Sequence, residues 1–213
     1  MKNGIHGPVA ERDVTISYDG IHLKADLALP MSASGIILFA HGSGSSRFSP
    51  RNRAVARDLQ DAGFATLLLD LLTVEEERAE ARTGKFRFDI EMLSLRLVAA
   101  TNWLATQASL KDLPVGYFGA STGAAAALVA AAMLPGKVGA IVSRGGRPDL
   151  AGTALQNVRC PTLLIVGGFD TVVIDLNHDA LRQLRCIGQL EIVPRASHLF
   201  EAVSYTHLTL PTN

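Results

Sequence analysis

Short apolar runs alternate along the chain with amphipathic stretches, and this pattern predicts an α/β protein. Runs such as Gly35–Ala40 and Pro161–Gly167 are almost continuously apolar, as strands buried on both faces of a parallel sheet are. Strands that alternate with helices form a mostly parallel sheet with helices on both faces. The predicted strands are Val14–Tyr18, Ile21–Leu29, Gly35–Ala40, Phe64–Leu72, Pro114–Phe118, Val138–Ser143, Pro161–Gly167 and Gln189–Val193. The predicted helices are Pro50–Ala62, Asp89–Gln107, Ala124–Leu134 and Ile174–Leu184.

The first two strands meet at Asp19-Gly20, a dipeptide typical of two-residue hairpin turns. An N-terminal antiparallel hairpin is therefore expected ahead of the parallel strands. The acidic stretch Glu75–Glu77 is expected to be a solvated surface. No repeat, low-complexity tract or linker divides the sequence, so residues 1–203 are expected to form a single domain.

Composition argues against several classes of protein. The 213 residues carry 20 Lys and Arg against 20 Asp and Glu, so the charge balance gives no reason to expect a nucleic-acid or membrane partner. The longest apolar stretch, Ala124–Leu134, is too short to span a bilayer, and the first residues do not match a secretory signal, which predicts a cytoplasmic protein. Cys160 and Cys186 are expected to be buried thiols, with a disulfide pair left open. No residue cluster has metal-ligand spacing and no glycine-rich segment matches a nucleotide fingerprint, so no metal or cofactor is expected.

The segment Gly119-Ala-Ser-Thr-Gly123 carries the clearest chemical signal. It ends the strand that begins at Pro114 and passes at once into an alanine-rich helix. In such a Gly-x-Ser-x-Gly turn the serine projects above the sheet, and the helix N-terminus favours negative charge. Ser121 is therefore a candidate nucleophile. The alternative is a small residue that only allows strand and helix to pack.

The partners that a nucleophilic serine requires follow it in the sequence. Asp170 comes after the strand Pro161–Gly167, and His198 comes after the last predicted strand. Because ligand sites of parallel sheets lie at the carboxyl ends of the strands, Ser121, Asp170 and His198 are expected to converge as a catalytic triad. Asp170 could also cap the following helix, and Asp175 is the fallback acid.

In this triad His198 would take the proton from Ser121, and Asp170 would hold the imidazole in the useful tautomer. The backbone N–H groups of Ser43 and Thr122 would form the oxyanion hole. Three other histidines compete with His198 for its role. His41 is expected to brace the loop that contains Ser43, His178 to lie on a helix surface, and His207 to have no functional role.

Three arginines, Arg47, Arg144 and Arg147, follow predicted strands in polar turns near the expected rim of the site. A guanidinium binds a carboxylate or phosphate through two parallel N–H bonds, so these arginines are candidate substrate-binding residues for an anionic ester. Phe169 is a further candidate because its loop borders the expected pocket. The alternative is that the arginines brace loops or pair with acids such as Asp149.

Five segments together resemble a known family. They are His41–Arg47, Ser49–Arg53, Leu68–Thr73, Gly119–Gly123 and Ser143–Asp149. They resemble bacterial dienelactone-hydrolase-related proteins of the α/β-hydrolase superfamily over most of the chain. The resemblance implies an α/β-hydrolase fold without a large lid domain, and an enzyme that cleaves a small ester, thioester or lactone. Some related proteins are fused to a phosphoribosyltransferase, and a homodimer is a further open partner.

One position departs from this family. Dienelactone hydrolases proper use a cysteine nucleophile where this chain has Ser121, so their lactone substrate is not transferred to it. The alternative function is a non-catalytic, hydrolase-like module that binds a metabolite or a partner.

The C-terminal residues differ in character from the rest. Residues 204–213 are rich in threonine, have no helical period and resemble translated vector sequence. They are expected to be a non-native or disordered tail, with a genuine extended end as the alternative. The helix that usually ends this fold is expected to be missing.

Overall fold

The computed structural model describes residues 9–200, in which strands and helices alternate. The strands are β1 Val9–Tyr18, β2 Ile21–Pro30, β3 Ile36–Ala40, β4 Ala65–Leu69, β5 Val115–Ala120, β6 Val138–Arg144, β7 Thr162–Gly167 and β8 Gly188–Val193. The helices are α1 Pro50–Asp61, α2 Val74–Thr83, α3 Ile90–Thr106, α4 Thr122–Met133 and α5 Thr171–Gln183, and a 3₁₀ segment spans Pro148–Asn157. The domain end at residue 203, the tail and the expected absence of a final helix all concern positions outside the described residues.

Within residues 9–200 the strands form one sheet in the order β1-β2-β4-β3-β5-β6-β7-β8. The β1–β2 and β2–β4 pairs are antiparallel, and all later pairs are parallel. The hairpin pairs Tyr18 with Ile21, and its two turn residues, Asp19 and Gly20, both have positive φ, as a tight hairpin turn requires. The predicted mostly parallel sheet with an N-terminal hairpin is therefore confirmed.

Apolar side chains pack on both faces of this sheet. In β3, Leu38 belongs to the main core together with Leu97 of α3 and Ala126 of α4. The next residue, Phe39, packs with Ala56 of α1 in a separate cluster. Since successive side chains of a strand point to opposite faces, α1 covers one face and α3 and α4 cover the other. The prediction of helices on both faces is confirmed.

Most predicted elements agree with the structure to within a few residues. The side chain of Ser49 caps α1, and that of Asp89 caps α3, because each accepts a hydrogen bond from a backbone N–H of the first turn. Helix α5 begins at Thr171, ahead of the predicted start, with Asp170 at its N-cap position. Cys160 and Cys186 are both free thiols, the former buried and the latter half-buried.

The acidic stretch after β4 contains a helix, α2, that the sequence analysis did not predict. The Thr73 hydroxyl accepts from the Glu76 N–H, and the Glu76 carboxylate accepts from the Thr73 N–H at 2.8 Å, which forms a capping box. Glu76 also pairs with the buried guanidinium of Arg96 in α3 at 2.6 Å. Glu75 is exposed, but Glu76 and Glu77 are half-buried, so the predicted solvated surface was wrong for those two residues.

Candidate active site

Ser121 lies on the turn between β5 and α4 with φ 50° and ψ −123°. A non-glycine residue rarely adopts positive φ, and such a conformation costs on the order of 1–3 kcal/mol. Backbone hydrogen bonds hold the turn: the Ser121 carbonyl accepts from Ala124 at 3.1 Å and from Arg147 at 3.0 Å. The surrounding structure therefore stabilises a strained serine at the end of a buried strand.

Two glycines allow this turn to form. A Cβ atom on Gly119 would lie 2.5 Å from Cα of Ala124, and one on Gly123 would lie 2.2 Å from the carbonyl oxygen of Ala40. Both distances are far below van der Waals contact, so no side chain fits at either position. The Gly-x-Ser-x-Gly pattern thus reflects the close packing of β5, α4 and β3 around Ser121.

Asp170 and His198 form a close pair. Nδ1 of His198 lies 2.5 Å from Oδ2 of Asp170, so the imidazole donates to the carboxylate and keeps Nε2 for another partner. The Asp170 side chain makes no capping hydrogen bond to α5. Asp175, the fallback acid, is exposed on α5, as is His178. The structure thus brings together the acid and the histidine that the sequence analysis preferred.

The loop after β6 contacts both the serine turn and the histidine turn. Its Arg147 N–H donates to the Ser121 carbonyl, and a Cβ on Gly145 would lie 2.9 Å from the carbonyl oxygen of His198. Among the hydrogen bonds of residues 9–200, none joins the Ser121 hydroxyl to His198. Catalytic hydrogen bonds often tighten only when substrate binds, so this geometry is compatible with a triad.

Asn177, which the sequence analysis missed, anchors this same loop. It is fully buried in α5, and its Nδ2 donates to the carbonyl oxygens of Gly146 at 3.0 Å and Val173 at 2.8 Å. A buried amide with such bonds holds the loop against α5. Its sequence signal is weak, since one asparagine inside an amphipathic helix is ordinarily a surface residue.

His41 positions the loop after β3. Its Nδ1 donates to the Gly42 carbonyl at 2.9 Å, and its Nε2 accepts from the Leu71 N–H at 2.9 Å. Burial lowers the pKa of His41, which keeps the ring neutral and able to accept that bond. These contacts agree with the bracing role expected from the sequence. A Cβ on Gly42 would lie 2.8 Å from Cβ of Ser121, so this loop runs directly beside the serine.

A cavity of about 300 Å³ opens on this side of Ser121. Ser43 and Thr122, whose N–H groups are the predicted oxyanion donors, both line it. Its opposite wall comes from α2 and the turn that follows, including Glu77 and Phe86. This wall was not among the expectations from sequence, because α2 was not predicted there.

Two carboxylates of α2 reach the cavity, and their environments differ. Glu80 is 4 % exposed and accepts hydrogen bonds from the Phe86 N–H at 2.7 Å and from Nε of Arg87 at 2.6 Å. Burial alone would raise the pKa of Glu80, but these bonds outweigh it and hold the pKa below its ordinary value. Burial, and secondarily the nearby Asp70 carboxylate, raises the pKa of Glu77.

Arg47 binds two acidic residues on neighbouring strands. Its Nε lies 3.0 Å from Asp26, its guanidinium also contacts Asp70, and its backbone N–H donates to Asp70 at 2.7 Å. Burial alone would lower the pKa of Arg47, but these carboxylates raise it. Arg53 of α1 donates to Asp26 at 2.6 Å, which extends the network. These contacts support the bracing alternative, and Arg47 does not line the cavity.

The other proposed substrate contacts also lie outside the cavity lining. Arg147 donates two bonds to Asp149, at 2.9 and 2.8 Å, which raise the pKa of its guanidinium. Arg144 donates to Asn52 of α1 at 3.0 Å. Phe169 is 69 % exposed beside Asp170. Substrate binding by these residues stays a prediction.

Clusters of metal-ligating side chains and membrane-spanning helices are both absent from residues 9–200. Those residues hold no group of three or more His, Cys, Asp or Glu side chains placed to bind a metal ion. The helices in that range lack the length and apolar character needed to cross a bilayer.

The sheet order, the strained serine on a strand-to-helix turn and the acid–histidine pair at later strand ends define an α/β-hydrolase. A family described as alpha/beta hydrolase fold matches residues 35–184. The chain therefore belongs to the α/β-hydrolase fold family, which confirms the predicted superfamily and enzyme class.

Known proteins place the chain more narrowly within this family. A crystal structure of a dienelactone hydrolase from Anabaena variabilis is 60% identical, with a TM-score of 0.89 over 91% of this chain and 90% of that one. The predicted similarity to dienelactone-hydrolase-related proteins is thereby confirmed. Est1E from Butyrivibrio proteoclasticus is 17% identical, with a TM-score of 0.71 over 89% of this chain and 91% of that one, and shares the fold.

Two curated relatives come from strains of Mycobacterium tuberculosis, and each is named "Putative phosphoribosyl transferase". Each is 56% identical over 194 residues, which is 91% of this chain and 43% of the relative. The chain thus spans less than half the length of the curated relatives it matches.

Proposed function

We propose that the protein is a serine hydrolase that cleaves a small ester, thioester or lactone through an acyl-enzyme. The observation that carries the proposal is the placement of Ser121 at positive φ beside the loop that also contacts His198, which is itself paired with Asp170 at 2.5 Å. Strained backbone at an exposed nucleophile position is characteristic of catalytic sites. The 60% identity to a protein named dienelactone hydrolase supports the same class of reaction.

In the first half of the proposed reaction, Nε2 of His198 takes the Ser121 proton as Oγ attacks the substrate carbonyl carbon. The N–H groups of Ser43 and Thr122 would bind the resulting oxyanion. Asp170 stabilises the protonated imidazole. Collapse of the tetrahedral intermediate breaks the bond to the leaving group, which receives the proton from His198.

In the second half, His198 accepts a proton from water, and the resulting hydroxide attacks the acyl carbon. Collapse of this second intermediate breaks the bond to Ser121 Oγ, which regains its proton from His198. The acid product then leaves. Each step uses only groups already described at the site.

The alternative, a non-catalytic binding module, is less well supported. A module that only binds a metabolite has no requirement for a strained serine or for a short carboxylate–imidazole bond. Both features are present here, and the positive φ of Ser121 has a stability cost that catalysis explains.

A fluorophosphonate probe tests the proposal directly, because it reacts only with an activated serine. We expect it to label the protein at Ser121 and to leave Ser121→Ala unlabelled. Ser109→Ala, at an exposed serine that precedes β5 and so lies toward the opposite end of that strand from Ser121, is the matched control and should label as the wild type does. By analogy with serine proteases, Ser121→Ala or His198→Ala should lower kcat by about 10⁶-fold and Asp170→Asn by about 10⁴-fold. A folded wild-type protein that fails to label would support the binding module.

The partners of the whole protein belong to the same proposal. The names of the two mycobacterial relatives support association with a phosphoribosyltransferase, since those proteins extend well beyond the matched region. We propose that this domain acts in the cytoplasm on a small-molecule substrate, beside such a transferase or as a homodimer. Light scattering of the protein, alone and mixed with a phosphoribosyltransferase, distinguishes these assemblies from a monomer.

A further inference from the structure

The cavity lies beside the Ser121 turn, and its lining includes neither the Ser121 side chain nor the acid–histidine pair. Gly42, which lies against Ser121 in space, and Thr122, which follows it in the sequence, both line the cavity. Neither Asp170 nor His198 lines it. His198 instead contacts the loop at Gly145. A substrate bound at Ser121 would therefore meet two different surroundings, the cavity and the turn that carries His198.

The chemistry decides which half of an ester enters the cavity. The leaving group must receive a proton from His198, so it departs on the histidine side. The oxyanion points to the N–H groups of Ser43 and Thr122. The acyl chain is the remaining part of the substrate, and the cavity is lined by the two residues that carry the oxyanion donors, so the acyl chain is the part that this cavity can take. On the histidine side, Phe169 and Leu199 are exposed, so the leaving group meets an open surface.

The lining sets the size and polarity of the group that fits. Apolar side chains form much of the wall, namely Leu71, Leu72, Ala81, Phe86 and Leu93. The volume of about 300 Å³ is at the small end of ligand pockets. Such a cavity suits an acyl chain of medium length better than a long or bulky one.

Charge on the lining opposes an anionic acyl group. Arg87 is the one cationic side chain of the lining described within residues 9–200, and it is paired with Glu80. Glu77 lines the cavity and has no ion-pair partner among those residues. Arg47 is engaged by Asp26 and Asp70. A carboxylate at the end of the acyl chain would meet Glu77, while Arg47, whose charge acts on Glu77, and Arg87 are each already paired with other carboxylates.

We propose that this cavity is an acyl pocket that selects uncharged chains of medium length, with Glu77 excluding acyl groups that end in a carboxylate. This inference rests on the proposed serine hydrolase function and adds its substrate class. It argues against a substrate whose acyl group is anionic, which was the substrate class for which the three arginines were candidate ligands from sequence.

The first measurement varies acyl length in a series of p-nitrophenyl esters from acetate to decanoate. We expect kcat/KM to rise about fourfold for each added methylene until the cavity is full, and then to fall. Ala81→Phe fills the cavity and should move the optimum to a shorter chain. Phe86→Ala enlarges it and should move the optimum to a longer one. Val74→Phe, exposed on the same helix and outside the lining, is the control and should leave the optimum in place.

The second measurement compares p-nitrophenyl hexanoate with the mono-p-nitrophenyl ester of adipic acid, which has the same six-carbon acyl chain with a terminal carboxylate. The wild type should prefer the neutral ester by about tenfold or more in kcat/KM, since an unbalanced like charge opposes binding. Glu77→Gln should reduce this preference about tenfold. Glu75→Gln removes the same charge from an exposed position on α2 and should leave the preference unchanged.

The outcomes separate this inference from the function on which it rests. Ser121-dependent hydrolysis with a flat length series, or with a preference for the adipate ester, would overturn the acyl pocket and leave the serine hydrolase intact. Absence of Ser121-dependent hydrolysis of every ester would overturn the proposed function and this inference with it. A length optimum that moves with Ala81→Phe, together with a charge preference that moves only with Glu77→Gln, supports both.

Discussion

At the scale of single residues, strain and buried polar contacts concentrate at the carboxyl ends of the strands. Ser121 adopts positive φ after β5, and Gly123 approaches the carbonyl of Ala40 after β3. His41, also after β3, is buried with both ring nitrogens bonded to backbone groups. These positions cost stability on their own, so the packed elements around them must compensate. A change in the protonation state of one of these groups, such as His41, should therefore change the stability of the folded protein.

His41 predicts a specific pH dependence of stability. Burial lowers its folded-state pKa below the ordinary value, so between the two values the unfolded chain binds more protons than the folded one. The contribution of neutral His41 to the free energy of unfolding is therefore complete above about pH 6.5. As the pH falls below that value, the free energy of unfolding decreases by up to about 1.4 kcal/mol per pH unit. Urea unfolding at a series of pH values from about 8 to about 5.5 measures this slope.

The matched variants for this prediction are His41→Gln and His178→Gln. His41→Gln removes the titrating group and should flatten the slope, whereas His178 is exposed on α5 and its replacement should leave the slope unchanged. Equal slopes in the wild type and His41→Gln would assign the pH dependence to other groups. Carboxylates such as Glu80, whose pKa is lowered, act below about pH 4.5 and do not overlap this window.

The residues of the acid–histidine pair could be predicted from sequence because each stands at the end of a recognisable strand. The partners of Arg47 could not, because Asp26 and Asp70 lie on β2 and at the end of β4, far away in the chain. Which side of Arg47 meets an acid depends on the register of these strands, which local patterns do not specify. Local sequence patterns therefore do not distinguish an arginine that binds substrate from one that braces loops through acidic partners.

At the scale of elements, α2 is the largest difference between prediction and structure. Its many charged residues made the helix hard to predict; it is joined to α3 by the Glu76–Arg96 ion pair and forms a wall of the cavity. The signal was present in the sequence, since Thr73 and Glu76 have the spacing of a capping box and Gly84 stands where the helix ends. Periodicity alone missed it because the apolar face of α2 is short.

The capping box gives a prediction about α2 itself. Thr73→Ala removes the side-chain acceptor for the Glu76 N–H and should lower the free energy of unfolding by about 1 kcal/mol. Thr153→Ala changes an exposed threonine whose side chain makes no hydrogen bond within residues 9–200, and it should alter the free energy of unfolding by less than about 0.5 kcal/mol. Urea denaturation of both variants measures the difference. Equal effects would show that the cap contributes nothing beyond the loss of a threonine.

At the scale of the whole molecule, the apolar core is divided unevenly around the site. The main cluster joins β1–β6 to α3 and α4, and it supports the Ser121 turn. A much smaller cluster, formed by Ile165, Ala196 and Phe200, supports the turn that carries His198. The nucleophile and the base of the proposed triad therefore rest on parts of the protein with different local stability.

Phe200 tests this division, because it is 5 % exposed while its neighbour Leu199 is 42 % exposed. Phe200→Ala should open the turn at 197–200, where the Phe200 N–H donates to the Ser197 carbonyl at 3.1 Å. We expect faster amide exchange there and lower esterase activity, while amides of β3 and β5 keep their protection. Leu199→Ala should change neither, since truncating an exposed side chain has little effect on stability. The contrary result is faster amide exchange throughout the sheet, equivalent to a loss of about 3–5 kcal/mol in the free energy of global unfolding, which is the usual cost of such a core truncation. That result would mean that the histidine turn unfolds only together with the main core.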